Sequence, residues 1–288
     1  MLTGFLSLYI FSSLHGTPAQ KTLPFLTPAA TIGIVKKPDL IAPIIHAKGS
    51  IAIDLKTGSI LFEQNKNKRM AIASITKLMT ILIVLEENKM DEIVKVSNNA
   101  AATEGSQMQL RTGEEITVEN LLYGALIHSA NDAATALAEH NADTVSKFVE
   151  KMNARAERLG LINTHFSNPI GLDQSNNYSS AADIAKLSRF VYHNKFIQQA
   201  ATLKTMEVTS TSGKFIHKLS STNDLLDSYL KIKGLKTGKT TEAGLCLVSI
   251  AENDHGNEII TVVLDSPARF EETKFLVDWV FRAYNWTQ

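Results

Sequence analysis

The apolar and polar residues change their spacing several times along this chain, and each change predicts an element. Ser50-Ile-Ala-Ile-Asp54 and Ser59-Ile-Leu-Phe62 are short apolar runs on either side of Lys56-Thr-Gly58, a strand–turn–strand pattern. Residues 70–85 are almost continuously apolar, too long a run for a strand. A helix apolar on all sides has to lie inside the fold. Helical patterns continue over 117–127, the Ala-rich 130–142, 145–159 and 180–193. Strand patterns return at 206–209, 215–219, 232–237, 245–251 and 259–264, with Asp254-His-Gly-Asn257 as a hairpin turn between the last two. An amphipathic helix over 271–284 closes the chain. Strands at both ends around a helical middle predict an α/β (α+β) fold. One sheet would be shared by the two chain ends, with a helical subdomain inserted and a cleft between them.

The first 47 residues read differently. Residues 1–14 are apolar and uncharged, shorter than the ~20 residues of a membrane span. Residues 1–16 are therefore expected to be a secretion signal or an N-terminal anchor. Residues 17–47 hold five of the seven prolines and are expected to be a semi-extended linker, leaving 48–288 as the folded domain.

Composition removes some classes. With 44% hydrophobic and 20% charged residues among 288, the chain is globular rather than disordered. Its 29 basic and 29 acidic residues give no net charge, which argues against a nucleic-acid partner. A single cysteine, Cys246, excludes an internal disulfide and a Cys-rich metal site, and within its apolar run it reads as a buried strand residue. The eight histidines are scattered and form no His-Glu-x-x-His, so zinc hydrolysis has no support.

One residue breaks the apolar pattern. Lys77 is the only ionisable side chain in residues 70–85. Burying an ammonium costs several kcal/mol unless it is paired or neutralised. Ser74 lies three residues earlier, hence on the same helical face, near a helix start that favours developing negative charge. A desolvated lysine has a lowered pKa, and its neutral amine can take the proton of a serine hydroxyl. The plainer reading is a snorkelling lysine with Ser74 as a helix cap. Ser228-Tyr-Leu-Lys231 matches the same spacing without the apolar setting.

Ser129-Ala-Asn131 lies at a turn entering a helix of small residues, where a hydroxyl and an amide could reach a cleft facing Ser74. The same Ser-x-Asn spacing recurs at Ser97, Ser175 and Ser221. Lys236-Thr-Gly238 sits in a strand-like segment free of acidic residues, and residues 232–241 form a local positive strip. A cation beside a hydroxyl suits a carboxylate, and glycine lets an extended peptide come close. An edge strand guarded by lysines is the alternative, and Lys56-Thr-Gly58 is a second copy of the triplet. The ordered set of all three motifs is a known signature, that of penicillin-binding proteins and class A β-lactamases.

With these motifs the chain resembles the serine D-alanyl-D-alanine carboxypeptidases, the low-molecular-mass penicillin-binding proteins. The matching text is Ala73-Ser-Ile-Thr-Lys-Leu-Met-Thr80, His128-Ser-Ala-Asn-Asp-Ala-Ala134 and Gly234-Leu-Lys-Thr-Gly238, with Phe166-Ser-Asn-Pro-Ile-Gly-Leu-Asp173, Ser179-Ser-Ala-Ala-Asp-Ile-Ala-Lys-Leu187 and Thr241-Glu-Ala-Gly244 in support. The resemblance implies a β-lactamase/DD-peptidase-like fold with an antiparallel sheet flanked by helices. It implies Ser74 as the acylated nucleophile, Lys77 as its general base and Ser129 as a proton relay. Asn131 would hold the substrate amide, and Lys236, Thr237 and Gly238 the strand end that takes the terminal carboxylate. The backbone N–H groups of Ser74 and Lys239 would form the oxyanion hole. No metal or cofactor is implied.

The expected substrate is a peptidoglycan stem peptide, with β-lactams as covalent inhibitors. The place of action would be outside the cytoplasm, in the periplasm or on the wall side, secreted or held at the membrane by the N-terminal segment. Ala130 stands where many relatives carry glycine, a small-for-small change. No Glu-x-x-Leu-Asn segment separates the second and third motifs, so the deacylating glutamate of class A β-lactamases is missing. The alternatives are an endopeptidase that cuts cross-links between stems, a β-lactamase, and an inactive wall-binding protein.

Overall fold

The computed structural model describes residues 33–287, apart from Asp39, Gln174 and Ser175. The expected signal or anchor and the first part of the linker lie outside the described residues. The chain runs β1 (Gly33–Lys36), β2 (Gly49–Asp54), β3 (Ile60–Gln64), a 3-10 turn (Ala73–Thr76) and α1 (Lys77–Glu87). It continues through β4 (Ile93–Lys95), α2 (Asn98–Ala101), β5 (Glu115–Thr117), α3 (Val118–Ile127), α4 (Asn131–Ala142) and α5 (Val145–Arg158). Then come α6 (Ala181–Tyr192), α7 (Lys195–Ala200), β6 (Thr205–Thr209) and β7 (Ile216–Ser220). The last elements are β8 (Lys231–Thr240), β9 (Gly244–Glu252), β10 (Glu258–Ser266), α8 (Arg269–Ala283) and β11 (Tyr284–Thr287).

The main sheet has the order β3-β2-β10-β9-β8, antiparallel throughout. Two strands come from the start of the domain and three from its end, joined where Ile259 pairs with Asp54 and Leu264 with Gly49. Successive strand side chains point to opposite faces. On β10, Ile260, Val262 and Leu264 face the helical body, while Ile259 and Val263 pack with Leu276, Val277 and Val280 of α8. Burial on both faces explains why these strands read as continuous apolar runs rather than alternating ones.

The apolar run from residue 70 is only partly helical. Met70 forms an isolated bridge with Ser179, a 3-10 turn follows, and α1 itself begins at Lys77. Residues 77–84 are all buried, as a helix without a polar face requires. Hairpins β4–β5 and β6–β7 stand outside the main sheet. Cys246 is buried in β9, where burial pushes its thiol up to about 11. That matches a structural cysteine.

The stretch expected to be a linker is anchored to the domain at two places, at its β1 strand and at Ile45–Ala47, while Ile41 and Ile44 stay exposed. β1 pairs with β11, Ile45 and Ala47 join the core under α8, and the backbone N–H groups of His46 and Ala47 donate to the Glu272 carboxylate. Proline and low charge marked this segment as irregular, but irregular backbone can still be buried when its polar groups find partners.

Candidate active site

Ser74 lies in the 3-10 turn that leads into α1, and the turn is entered under strain. Ala73 has φ +49°, in the left-handed region. Strain of this kind persists only where the surroundings enforce it. Here the backbone is gripped from two sides. A Cβ built on Gly171 would stand 1.9 Å from the Ala73 carbonyl oxygen, and one on Gly238 would stand 2.9 Å from the Ile72 carbonyl oxygen. Both glycines are glycine because another chain segment occupies that space.

One turn in, Lys77 is fully buried. Its Nζ lies 2.9 Å from Ser74 Oγ, 2.6 Å from Asn131 Oδ1 and 2.8 Å from the Ile170 carbonyl oxygen. Burial drives the Lys77 pKa well below the ordinary lysine value; the charge of Lys236 lowers it further and Asp132 opposes this. The partners then fix the direction of the amine. Amide and carbonyl oxygens only accept hydrogen bonds. The two N–H bonds of a neutral amine go to Asn131 and Ile170, which leaves the lone pair for the Ser74 hydroxyl.

Ser129 sits in the tight connection between α3 and α4, with φ +60°. Lys236 Nζ donates to its Oγ at 2.8 Å and to the Thr237 carbonyl at 3.1 Å. Lys236 is 1% exposed, and burial, aided by Arg269, holds its pKa down to about 7. The Thr237 hydroxyl shares a 2.5 Å hydrogen bond with Thr222. Asn131 is held at both ends of its amide, its Nδ2 donating to the Glu104 carbonyl at 2.6 Å. The structure therefore brings Ser74, Lys77 and Asn131 into one hydrogen-bonded group, and Ser129, Lys236 and Thr237 into a second beside it. Gly238 abuts the nucleophile turn, and Lys239 follows it as an exposed residue.

The repeated motifs resolve into other tasks. Thr57 of the first Lys-Thr-Gly closes a turn onto Asp54 at 2.7 Å. Ser97 caps α2, and Asn223 caps a short 3-10 turn. Lys231 pairs with Asp254 at 2.8 Å. The local positive strip is corrected in the same way: Lys233 binds Glu252 and Glu258. Those acids come from β9 and β10, far along the sequence, so a local reading of charge missed them.

Several contacts could not be read from the sequence pattern, although most of the residues that make them stand in the motifs quoted above. Arg269 Nη1 donates to the Gly238 carbonyl at 2.7 Å. The Asp132 carboxylate is fully buried and accepts from the N–H groups of Met108 and Leu110, tying the 104–110 loop to α4. Asn168 Oδ1 accepts from Gly171 N at 2.6 Å, and Thr80 Oγ1 donates to the Pro169 carbonyl at 2.6 Å, which seats Ile170 over Lys77. A cleft of about 830 Å³ lies elsewhere, against Asp54, Tyr192, His255 and Trp286, and holds none of these residues. Among the described residues no group of His, Cys, Asp and Glu could hold a metal ion.

Comparison with known proteins agrees with this geometry. The D-alanyl-D-alanine carboxypeptidase family model matches residues 36–268. The D-alanyl-D-alanine carboxypeptidase DacF of Bacillus subtilis (strain 168) is 37% identical over 247 residues, 83% of this chain and 63% of that protein. The chain thus spans less than two thirds of that relative's length. A D-alanyl-D-alanine carboxypeptidase of Streptomyces sp. (strain K15) is 33% identical, with 89% of this chain and 94% of the relative covered. The crystal structure of the Streptomyces K15 DD-transpeptidase superposes with a TM-score of 0.80 at 32% identity, over 84% of this chain and all of that one. A fold shared at this identity, with a serine, a buried lysine and a lysine-bearing edge strand in mutual contact, leads to one assignment: the chain belongs to the D-alanyl-D-alanine carboxypeptidase family.

Proposed function

We propose that this protein is a serine-type D-Ala-D-Ala carboxypeptidase that acts on peptidoglycan stem peptides through an acyl-enzyme on Ser74. The observation that carries the reading is the Lys77 amine, fully buried and 2.9 Å from the Ser74 hydroxyl. Ser74 Oγ attacks the carbonyl carbon of the penultimate D-Ala while Lys77 takes its proton. The oxyanion that forms is met by the backbone N–H groups of Ser74 and Lys239. Collapse breaks the C–N bond, and the departing amine of the terminal D-Ala receives a proton through Ser129. Water then attacks the ester as Lys77 takes its proton, the C–O bond to Ser74 breaks, Lys77 returns the proton to Ser74 Oγ, and the shortened peptide leaves. Lys236 in its charged form and the Thr237 hydroxyl hold the terminal carboxylate, and Gly238 admits the peptide backbone. Asn131 first orients Lys77 and then offers its amide to the substrate.

A β-lactam would acylate Ser74 by the same attack. The substrate places the protein outside the cytoplasm, and residues 1–16 would direct or hold it there. Among the described residues no helix is long and apolar enough to cross a membrane.

The test is covalent labelling with a fluorescent penicillin. The full chain is expected to take one label, and Ser74→Ala none. An unlabelled parent, or a labelled Ser74→Ala, would sink the assignment. Incubation with a pentapeptide and with a cross-linked dimer then separates the activities: free D-Ala from the first marks a carboxypeptidase, and separated stems from the second an endopeptidase.

A further inference from the structure

Between α2 and β5, residues 102–114 form no helix or strand, so the place of this loop is set by the separate bonds it makes. On one side it is tied to α4. Asn131 N donates to the Ser106 carbonyl at 2.6 Å, and the N–H groups of Met108 and Leu110 donate to Asp132 at 3.1 and 3.0 Å. On the other side stands β7. The ring of His217 is buried there, with Nδ1 2.8 Å from the Met108 carbonyl oxygen and Nε2 2.7 Å from Glu114 Oε1. Met108 is thus clamped through both of its backbone groups, its N–H by α4 and its carbonyl by β7.

The partners fix where the hydrogens lie. A carbonyl oxygen only accepts, so His217 Nδ1 carries a hydrogen. Its Nε2 and a carboxylate oxygen bond only with a second hydrogen between them, held by one or the other. The other Glu114 oxygen accepts from Arg111 N at 3.1 Å, so every polar side-chain atom of the pair has a partner. A buried acid–base pair of this kind adds little stability that apolar side chains of the same size would not supply. Apolar side chains do not, however, hold a carbonyl oxygen at a set distance and direction.

A short run of contacts leads from this pair to Ser74. Met108 N–H reaches Asp132, and Asp132 adjoins Asn131 at the start of α4. Asn131 Oδ1 lies 2.6 Å from Lys77 Nζ, which lies 2.9 Å from Ser74 Oγ. The same loop holds the other end of the Asn131 amide, at the Glu104 carbonyl 2.6 Å away. A shift of the loop therefore shifts the group that aims the lysine amine. We infer that His217 and Glu114 are positioning residues for the Ser74 site: they hold the 104–110 loop against β7, and the loop holds Asn131. This rests on the peptidase reading above. The two residues stand 103 positions apart and outside the three motifs, so spacing gave no sign of them.

The test is single-turnover acylation of the full chain by saturating penicillin, read beside thermal melts. Glu114→Gln keeps both bonds, its amide N–H donating to His217 Nε2 and its oxygen accepting from Arg111 N. It is expected to acylate at the parent's rate. Glu114→Leu and His217→Leu keep the bulk and remove the bonds, and each is expected to slow acylation about 10-fold at temperatures where it is folded. Val280→Ala, in the core between α8 and the sheet, is the control: it should lower the melting temperature and leave the rate unchanged. Leucine variants that match the parent overturn the inference. So does a Glu114→Gln as slow as Glu114→Leu, or a Val280→Ala slowed as much as they are. If one leucine variant does not fold, the other carries the comparison. A parent that takes no penicillin overturns the peptidase reading, and this inference with it.

Discussion

At the scale of single residues, two buried lysines carry the proposed chemistry, and in it they would do opposite work. Lys77 would have to be neutral to act as a base, whereas Lys236 would have to be charged to hold a carboxylate. Each lies where burial disfavours charge, and each stays viable through fixed partners. Their burial also has a consequence for stability. With its pKa near 7 in the folded chain, Lys236 binds fewer protons there than in the unfolded chain, from about pH 7 up to its ordinary value of 10.5. The unfolded chain is the more protonated across that window, so stability rises with pH, and the full penalty is present below about pH 7. Lys236→Met removes the penalty. Its melting temperature is expected to exceed the parent's at pH 6, with a gap that narrows by pH 9.5, while penicillin acylation falls by about 100-fold or more. A gap that widens with pH would contradict the burial account.

At the scale of elements, the candidate site is made where two segments press on one turn. The 3-10 turn carries Ser74, β8 approaches it at Gly238, and the 168–173 loop approaches at Gly171. Close approach of backbone to backbone leaves no room for a Cβ. Gly171→Ala, with φ +85° and a Cβ only 1.9 Å from a carbonyl oxygen, is expected to push the loop away and withdraw Ile170 from Lys77. Stability should fall by about 1–3 kcal/mol, and acylation should slow well beyond what that loss explains. Gly213→Ala is the control: φ is also positive, +69°, but nothing lies within 4 Å. It should lower the melting temperature and leave the acylation rate unchanged. Stopped-flow acylation beside thermal melts separates the two effects.

Much at this scale was legible beforehand. The long runs over 117–127, 130–142, 145–159 and 180–193 became α3 to α6 within a residue or two at each end, because period and length mark buried and amphipathic helices well. The short β4, β5 and α2 were not legible. Three or four residues carry too little pattern, and these elements owe their existence to what they pack against.

At the scale of the molecule, the fold is closed by its two ends. β2 and β3 cannot complete a sheet without β10, and residues 33–47 cover the outer layer formed by α8 and β11. A chain beginning at Lys48 would lose Ile45 and Ala47 from that layer. It would also leave the Glu272 carboxylate, 4% exposed, without the two backbone N–H groups it accepts from, and with the Ser266 hydroxyl still donating to it. A buried carboxylate that loses hydrogen-bond donors is destabilised. Truncation at Lys48 is therefore expected to give a markedly lower denaturation midpoint than truncation at Gly33. Equal midpoints in urea for the two truncations would show that residues 33–47 add nothing to the domain.

The sequence by itself determined the helical middle, the strands at both ends, and the residues that meet in the site. Those properties are local: period, length, and one lysine in an apolar run. It could not show that Lys231 and Lys233 are neutralised by acids from β9, β10 and the turn between them. It gave no sign of Arg269 on the Gly238 carbonyl, or of the Ile170 carbonyl on Lys77. Only the tertiary structure decided these, because each depends on a backbone carbonyl, a countercharge or an approach distance brought from a remote part of the chain. A backbone carbonyl is the same group in every residue, so its role appears only where the fold places it.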